Sequence, residues 1–143
     1  MKIAVSAIAP GLDAEVDPRF GRCQYFIIVD PETMQFEAIE NSSAIASGGA
    51  GISAAQMIAS KRVEAILTGN CGPNAYQVLS PAGIKVITRV LGKVQDAVQD
   101  YKAGKYQASS QPNVSGHFGM GRGQGMGRGM GRGKGMGMGG SLG

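Results

Sequence analysis

The last 28 residues limit most strongly what this chain can fold into. Over residues 116–143, 14 of the 28 residues are glycine, and glycine occupies nearly every second position. Such a segment loses much backbone entropy on ordering and has few side chains to bury. We therefore predict a flexible tail over residues 116–143, a polar linker over residues 108–115 and one folded domain over residues 1–107.

The net charge of +4 belongs entirely to this tail. Residues 1–115 carry ten lysines and arginines and ten aspartates and glutamates, so this part is formally neutral. The tail has no acidic residue, and its cations are Arg122, Arg128, Arg132 and Lys134. A basic face on the folded domain is therefore not indicated.

The amino-terminal sequence predicts a cytoplasmic protein. No apolar stretch reaches the roughly 20 residues that a membrane-spanning helix needs, so we expect no membrane partner. The start, MKIAVSAIAPG, has one lysine and a short apolar run but no signal-peptide cleavage site. In that compartment the two cysteines, Cys23 and Cys71, are expected to be free thiols or metal ligands.

The first 107 residues alternate between strand patterns and helix patterns. Apolar strand patterns cover residues 2–8, 25–30, 34–41, 64–69 and 84–89, and helix patterns cover residues 52–62, 73–83 and 93–104. One face of the last helix is apolar at helical spacing, through Val94, Ala97, Val98 and Tyr101. This order, βββαβαβα, predicts a mixed α/β sheet layered with helices, in which strands 2 and 3 form a hairpin.

Four segments carry a family resemblance. They are DPRFGRCQYFIIVD (17–30), GGAGISAAQMI (48–58), LTGNCGPNAYQVL (67–79) and AGIKVI (82–87). In this order they resemble the dinitrogenase iron–molybdenum cofactor biosynthesis family, over about residues 1–105. That family includes small cofactor carriers of nitrogenase assembly and stand-alone homologues outside nitrogen fixation.

The resemblance has implications for both fold and function. It implies a ribonuclease H-like motif, with a five-stranded sheet in the order 3-2-1-4-5 and strand 2 antiparallel. It also implies a domain that binds or carries metal–sulfur clusters and has no established catalytic reaction. The tail lies outside this domain and resembles tails of some homologues, including those connected with iron–sulfur storage.

The implied topology places both cysteines at one edge of the sheet. Because strands 1, 3 and 4 are parallel, the loops after them leave at the same edge, and antiparallel strand 2 begins there. Cys23 lies at the start of strand 2 and Cys71 follows strand 4, so both flank strand 1. Open α/β sheets usually bind ligands at such an edge.

Cysteine chemistry points to a metal–sulfur site. Thiolates are ligands for iron–sulfur, zinc or copper(I) centres. Because Cys71 precedes a predicted helix and Cys23 follows Arg19 and Arg22, we expect both thiols to favour the thiolate form. The arginines would pair with an anionic cluster, with the acids of the preceding loop, or with water. Two thiolates leave a cluster incomplete, so sulfide, another ligand or a second subunit is required.

A glycine-rich segment is the second candidate feature. The sequence SGGAG (47–51) lets backbone N–H groups approach an anion at the next helix, although it would equally suit a tight turn and close packing. It lacks the Lys-Ser/Thr ending of a phosphate-binding loop. The predicted cofactor-binding residues are Gly48, Gly49, Gly51, Arg19, Arg22, Asn70 and Gly72, and the predicted metal ligands are Cys71 and Cys23.

These observations predict a non-catalytic protein that binds, carries or stores an iron–sulfur cluster or iron sulfide. A molybdenum- or copper-containing cluster is the alternative cargo. We expect self-association, with the cationic tail gathering anionic cluster material or driving assembly. Nucleic-acid binding by the Arg-Gly tail, copper(I) binding by its methionines and a small-ligand regulatory domain stay open alternatives.

Overall fold

The computed structural model describes residues 1–42, 49–109 and 111–114. Its elements are β1 (Ile3–Ala7), β2 (Tyr25–Val29), β3 (Phe36–Glu40), α1 (Ala50–Ser60), β4 (Ala65–Leu67), α2 (Pro73–Leu79), β5 (Lys85–Ile87) and α3 (Val94–Lys102). The predicted order of strands and helices is therefore confirmed. The predicted flexible tail lies outside the described residues.

The five strands form one mixed sheet in the order β3-β2-β1-β4-β5. β2 is antiparallel to both β1 and β3, and β4 is parallel to β1 and β5. Ala7 at the end of β1 pairs with Tyr25 at the start of β2, and Val5 pairs with Leu67. This confirms the strand order and the antiparallel second strand that the family resemblance implied.

Helices cover both faces of the sheet, because successive side chains of a strand point to opposite faces. The first cluster packs the sheet against α1 and α2, and its strand residues are Ala4, Phe26, Ile28, Ile66 and Val86. The second cluster packs the other face against α3, and its strand residues are Ile3, Val5, Ala7, Ile27, Val29, Ala65, Leu67 and Ile87. Both cysteines belong to the first cluster, which places them on the same face.

Two elements, α1 and β3, differ in detail from the sequence patterns. α1 begins at Ala50, two residues earlier than predicted, because Gly49 adopts a left-handed conformation with φ 73° at its N-cap. The packed face of α1 uses small residues and Ile58, whereas Ile52 is 38% exposed. β3 is exposed except for partly buried Ile39, so it is less buried than its alternation suggested.

The loop between β1 and β2 crosses the carboxyl end of β4 at a glycine. A Cβ atom on Gly69 would lie 2.5 Å from the Cα atom of Pro18, so no larger residue fits this crossing. The Phe20 N–H donates to the Asn70 carbonyl at 3.3 Å, and the Asn70 side chain donates to the Pro18 carbonyl at 3.1 Å. These contacts fasten the two cysteine-bearing loops to each other. No helix in the described part of the chain is long and apolar enough to cross a membrane.

Candidate functional site

Three chain segments meet at the carboxyl edge of the central strands. They are the β1–β2 loop with Cys23, the start of α1, and the β4–α2 loop with Cys71. A Cβ atom on Gly21 would lie only 2.9 Å from the Cα and N atoms of Gly51, so the first two segments are in direct backbone contact. The structure thus brings together the segments that the sequence singled out.

Cys23 is fully buried at the start of β2. Its thiol donates a hydrogen bond to the Phe20 carbonyl at 3.3 Å. The buried Asn41 side chain donates to the Cys23 carbonyl at 2.8 Å and to the Gly21 carbonyl at 3.1 Å, and its Nδ2 atom lies 3.8 Å from the Cys23 sulfur. Asn41 therefore shapes the Cys23 loop. It was not singled out from the sequence, where its position at the end of a strand pattern was the only signal.

Cys71 is also buried, with 1% of its surface exposed. Its thiol faces the Gly72 carbonyl oxygen at 3.7 Å. The Cys71 N–H donates to Oδ1 of Asn113 at 2.7 Å, and the Asn113 N–H donates to the Cys71 carbonyl at 3.1 Å. Nδ2 of Asn113 also donates to Oδ1 of Asn70 at 3.0 Å. Sequence reasoning missed Asn113, because a polar residue in a polar linker carries no local pattern.

Both thiols are held in the protonated form. Burial raises the pKa of Cys71 from 9.0 to about 12. Burial, followed by the charge of Asp17, raises the pKa of Cys23 as well, although hydrogen bonds from the Ala7 backbone and the Asn41 side chain act in the opposite direction. The expectation that both cysteines favour the thiolate is therefore wrong. For Cys71, desolvation outweighs the favourable charge at the N-terminus of α2, which has only seven residues.

One arginine of the β1–β2 loop, Arg19, pairs with an acid of the same loop. Nε of Arg19 lies 3.4 Å from Oδ1 of the buried Asp17, and the Arg19 side chain is 46% exposed. Oδ1 of Asp17 also accepts the Arg19 N–H at 2.9 Å. Arg19 thus follows the alternative in which it pairs with a nearby acid. Arg22 is partly buried in the same loop.

The glycines of the predicted anion-binding segment have conformational roles. Gly49 supplies the left-handed N-cap of α1, and Gly51 packs against Gly21. Gly72 precedes α2 in an extended conformation. Gly48 lies outside the described residues. A tight turn and close packing therefore account for Gly49 and Gly51, and a role for these residues in cofactor binding stays a prediction.

The described part of the chain does not surround the two thiols with a complete set of protein ligands. No group of three or more His, Cys, Asp or Glu residues is close enough there to hold a metal ion. A cavity of about 550 Å³ lies at the opposite edge of the sheet, where Glu64, Lys85 and Tyr101 are among its lining residues. Gly49 and Gly51 are not among the lining residues of that cavity.

Solved structures with similar sequence share this fold. The apo form of the orange protein from Desulfovibrio gigas is 46% identical, with a TM-score of 0.76, over 79% of this chain and 96% of that one. A putative NifB protein from Thermotoga is 36% identical, with a TM-score of 0.65, over 75% of this chain and 91% of that one.

The sequence relatives extend the same picture. An uncharacterised protein of Methanocaldococcus jannaschii is 32% identical over 111 residues, which is 75% of this chain and 94% of the relative. The family model described as dinitrogenase iron-molybdenum cofactor matches residues 1–104. The chain therefore belongs to the dinitrogenase iron-molybdenum cofactor family.

Proposed function

We propose that this protein binds a metal–sulfur cluster through Cys71 and Cys23 and carries or stores it without catalysing a reaction. The observation that supports this most directly is the position of the two cysteines. They come from separate loops, yet they enter one apolar cluster at the same edge of the sheet. Soft thiol donors in this arrangement suit iron–sulfur and copper-containing centres.

The chemistry of the donors fits such a cargo, but their burial adds a requirement. Both thiols are buried and protonated, so binding requires loop movement and the release of protons. Gly72 directly follows Cys71 and gives the backbone there the freedom that such a movement needs. The family and the apo designation of the orange protein support a ligand-binding role.

Completion of the cluster calls for donors beyond the two thiols. Sulfide ions or a second copy of the chain would supply the remaining positions, which is why we include self-association in the proposal. Arg22, Asn70 and the glycines Gly49, Gly51 and Gly72 would then contact the cargo at the edge of the sheet, with Gly48 and Arg19 as further candidates. Iron–sulfur is the proposed cargo, and a molybdenum- or copper-containing cluster is the alternative.

Anaerobic reconstitution tests this proposal. The full chain is incubated with ferrous iron and sulfide, desalted, and assayed for iron, acid-labile sulfide and visible absorption. We expect the wild type to retain a coloured cluster, and Cys71→Ala and Cys23→Ala each to retain at least about tenfold less iron, because each removes a ligand. Metal analysis of protein isolated anaerobically from its natural host distinguishes iron from molybdenum and copper.

A matched core variant separates ligand loss from destabilisation. Val86→Ala truncates a buried residue of the same apolar cluster and is expected to cost about 2 kcal/mol of stability, but it removes no sulfur. It should retain wild-type amounts of iron. The proposal is wrong if the wild type stays colourless, or if Cys71→Ala binds iron and sulfide as the wild type does.

A further inference from the structure

The chain that follows α3 returns to the candidate site. We define residues 105–109 and 111–114 as the C-terminal strap. The Ser109 N–H donates to the Val86 carbonyl at 2.7 Å, so the strap lies along the outer edge of β5. From there it runs toward the carboxyl edge of the sheet, where its residue Asn113 meets the Cys71 loop. A segment that the sequence marked as a linker thus makes specific contacts with the domain.

The strap is attached at two places. Near its middle, the Tyr76 hydroxyl donates to the Ser109 carbonyl at 3.0 Å, and the Ser109 hydroxyl lies 2.9 Å from the Thr88 hydroxyl. Farther along, Oδ1 of Asn113 accepts the Cys71 N–H, and the Asn113 N–H donates to the Cys71 carbonyl. The Asn113 side chain also reaches the neighbouring residues of the same loop.

These contacts hold the backbone of Cys71 on both sides. Its N–H and its carbonyl are both bonded to Asn113, and its thiol points into the apolar cluster. The thiol cannot reach solvent by rotation of the Cys71 backbone unless Asn113 first releases the loop. Cys23 differs, because its loop is held by Asn41 at the end of β3 and not by the strap.

We infer that the C-terminal strap is a reversible cover of the candidate site, that Asn113 is its latch, and that Cys71 becomes accessible only when the latch opens. The importance of the latch for cluster loading rests on the proposed function, whereas the existence of the latch does not depend on it. Opening is feasible without unfolding, because the described strap residues from position 107 onward are exposed or half-buried and are held mainly by hydrogen bonds. Water can replace such hydrogen bonds at little net cost.

Alkylation of the full chain measures this opening without any metal. The cysteine sulfur forms a bond to the methylene carbon of iodoacetamide, iodide leaves, and the thiol proton passes to the buffer. Peptide mass spectrometry then gives separate rates for Cys71 and Cys23. Cys23 serves as an internal control, because global unfolding exposes both thiols whereas latch opening exposes Cys71 alone.

We expect Asn113→Ala to accelerate alkylation of Cys71 by at least about tenfold, because three side-chain hydrogen bonds are lost, and to leave the Cys23 rate unchanged. Tyr76→Phe removes only the hydroxyl that binds Ser109. It should accelerate alkylation of Cys71 by a smaller factor, although this hydroxyl does not touch Cys71. Asn74→Ala alters an exposed asparagine near the same loop and should change neither rate.

Two results would overturn the inference. One is an unchanged Cys71 rate in folded Asn113→Ala protein. The other is an equal acceleration of Cys71 and Cys23, which would show general loosening of the domain. If Asn113→Ala does not fold, as judged by circular dichroism, Tyr76→Phe decides between the same outcomes. Failure of every variant to bind iron would contradict the proposed function and leave the alkylation result intact.

Discussion

The two cysteine loops are both buried but are fastened in different ways. Asn41, which holds the Cys23 loop, lies one residue beyond β3 and is itself 4% exposed. Asn113, which holds the Cys71 loop, is half-buried and belongs to a segment that follows all the secondary structure. The Cys23 loop is therefore part of the β2–β3 unit, whereas the Cys71 loop depends on the end of the domain.

This difference assigns different tasks to the two thiols. A loop whose polar groups are satisfied by a buried side chain opens only when the surrounding core opens. Asn70 ties the start of the Cys71 loop to the other loop, but the Cys71 backbone itself is held by the half-exposed strap, so it can be released at a cost below that of global unfolding. Cys23 is thus suited to be a fixed anchor in the proposed cluster site, and Cys71 to be the ligand whose access is controlled.

The largest expected effect is on stability. Asn41→Ala should lower the free energy of unfolding by about 3 kcal/mol, because it leaves the buried Cys23 carbonyl and the partly buried Gly21 carbonyl without this donor. Asn113→Ala should cost only about 1 kcal/mol, since water can reach the groups it leaves. Urea denaturation of the two variants measures the difference. Equal losses would show that the strap is as integral to the domain as β3 and would remove the distinction between the loops.

The fold was largely predictable from the sequence, because its signals are local. The apolar face of Val94, Ala97 and Val98 predicted α3, and these residues are buried as expected. Gly104, the last residue of the predicted pattern, adopts φ 77°, a conformation in which glycine commonly follows the end of a helix. The strand order was predicted from the family resemblance and not from periodicity. The observed sheet confirms this order, and the family model matches residues 1–104.

The site was predictable in position but not in electrostatics. The order of the strands is sufficient to place Cys23 and Cys71 at one edge. Their protonation depends on how completely other segments exclude water, and this burial is a tertiary property that neighbours in sequence do not report. Asn41 and Asn113 were missed for a related reason, because each acts on a loop distant from it in sequence.

The alkaline pH dependence of stability tests the buried thiols. Because burial raises the pKa of Cys71 from 9.0 to about 12, its contribution to stability is complete below pH 9 and is lost as pH rises toward 12. Between pH 7 and pH 10, under reducing conditions, the wild type should lose about 1.4 kcal/mol more than Cys71→Ala. Tyr101 and Tyr106, whose pKa values are also raised, are present in both proteins and cancel in this difference.

The same measurement on Cys23→Ala compares the two loops directly. Burial raises the pKa of Cys23 as well, so its removal should also flatten the pH profile. A smaller effect for Cys71 than for Cys23 would show that Cys71 ionises in a locally open state whose opening costs little free energy. Profiles that coincide with the wild type in both variants would contradict the assignment of buried, protonated thiols.

The smallest expected effect concerns the tail, which follows the strap in the sequence. Replacement of Arg122, Arg128, Arg132 and Lys134 by Gln in the full chain removes all its charge and keeps its methionines. We expect iron bound through the cysteines to change by less than about twofold, because no thiol is lost. Iron sulfide gathered beyond that amount should decrease, and its dependence on salt should weaken.

Two controls separate the remaining roles of the tail. Replacement of Met120, Met126, Met130, Met136 and Met138 by Leu keeps the charge and removes the thioethers, so it should preserve the excess iron sulfide and abolish any binding of copper(I). Binding of a single-stranded RNA oligonucleotide is measured in parallel, because loss of four cations would reduce its salt slope by about 3 if the tail contacted phosphates. Unchanged iron sulfide together with this reduced slope would assign the tail to nucleic acid and leave the cysteine site to act alone.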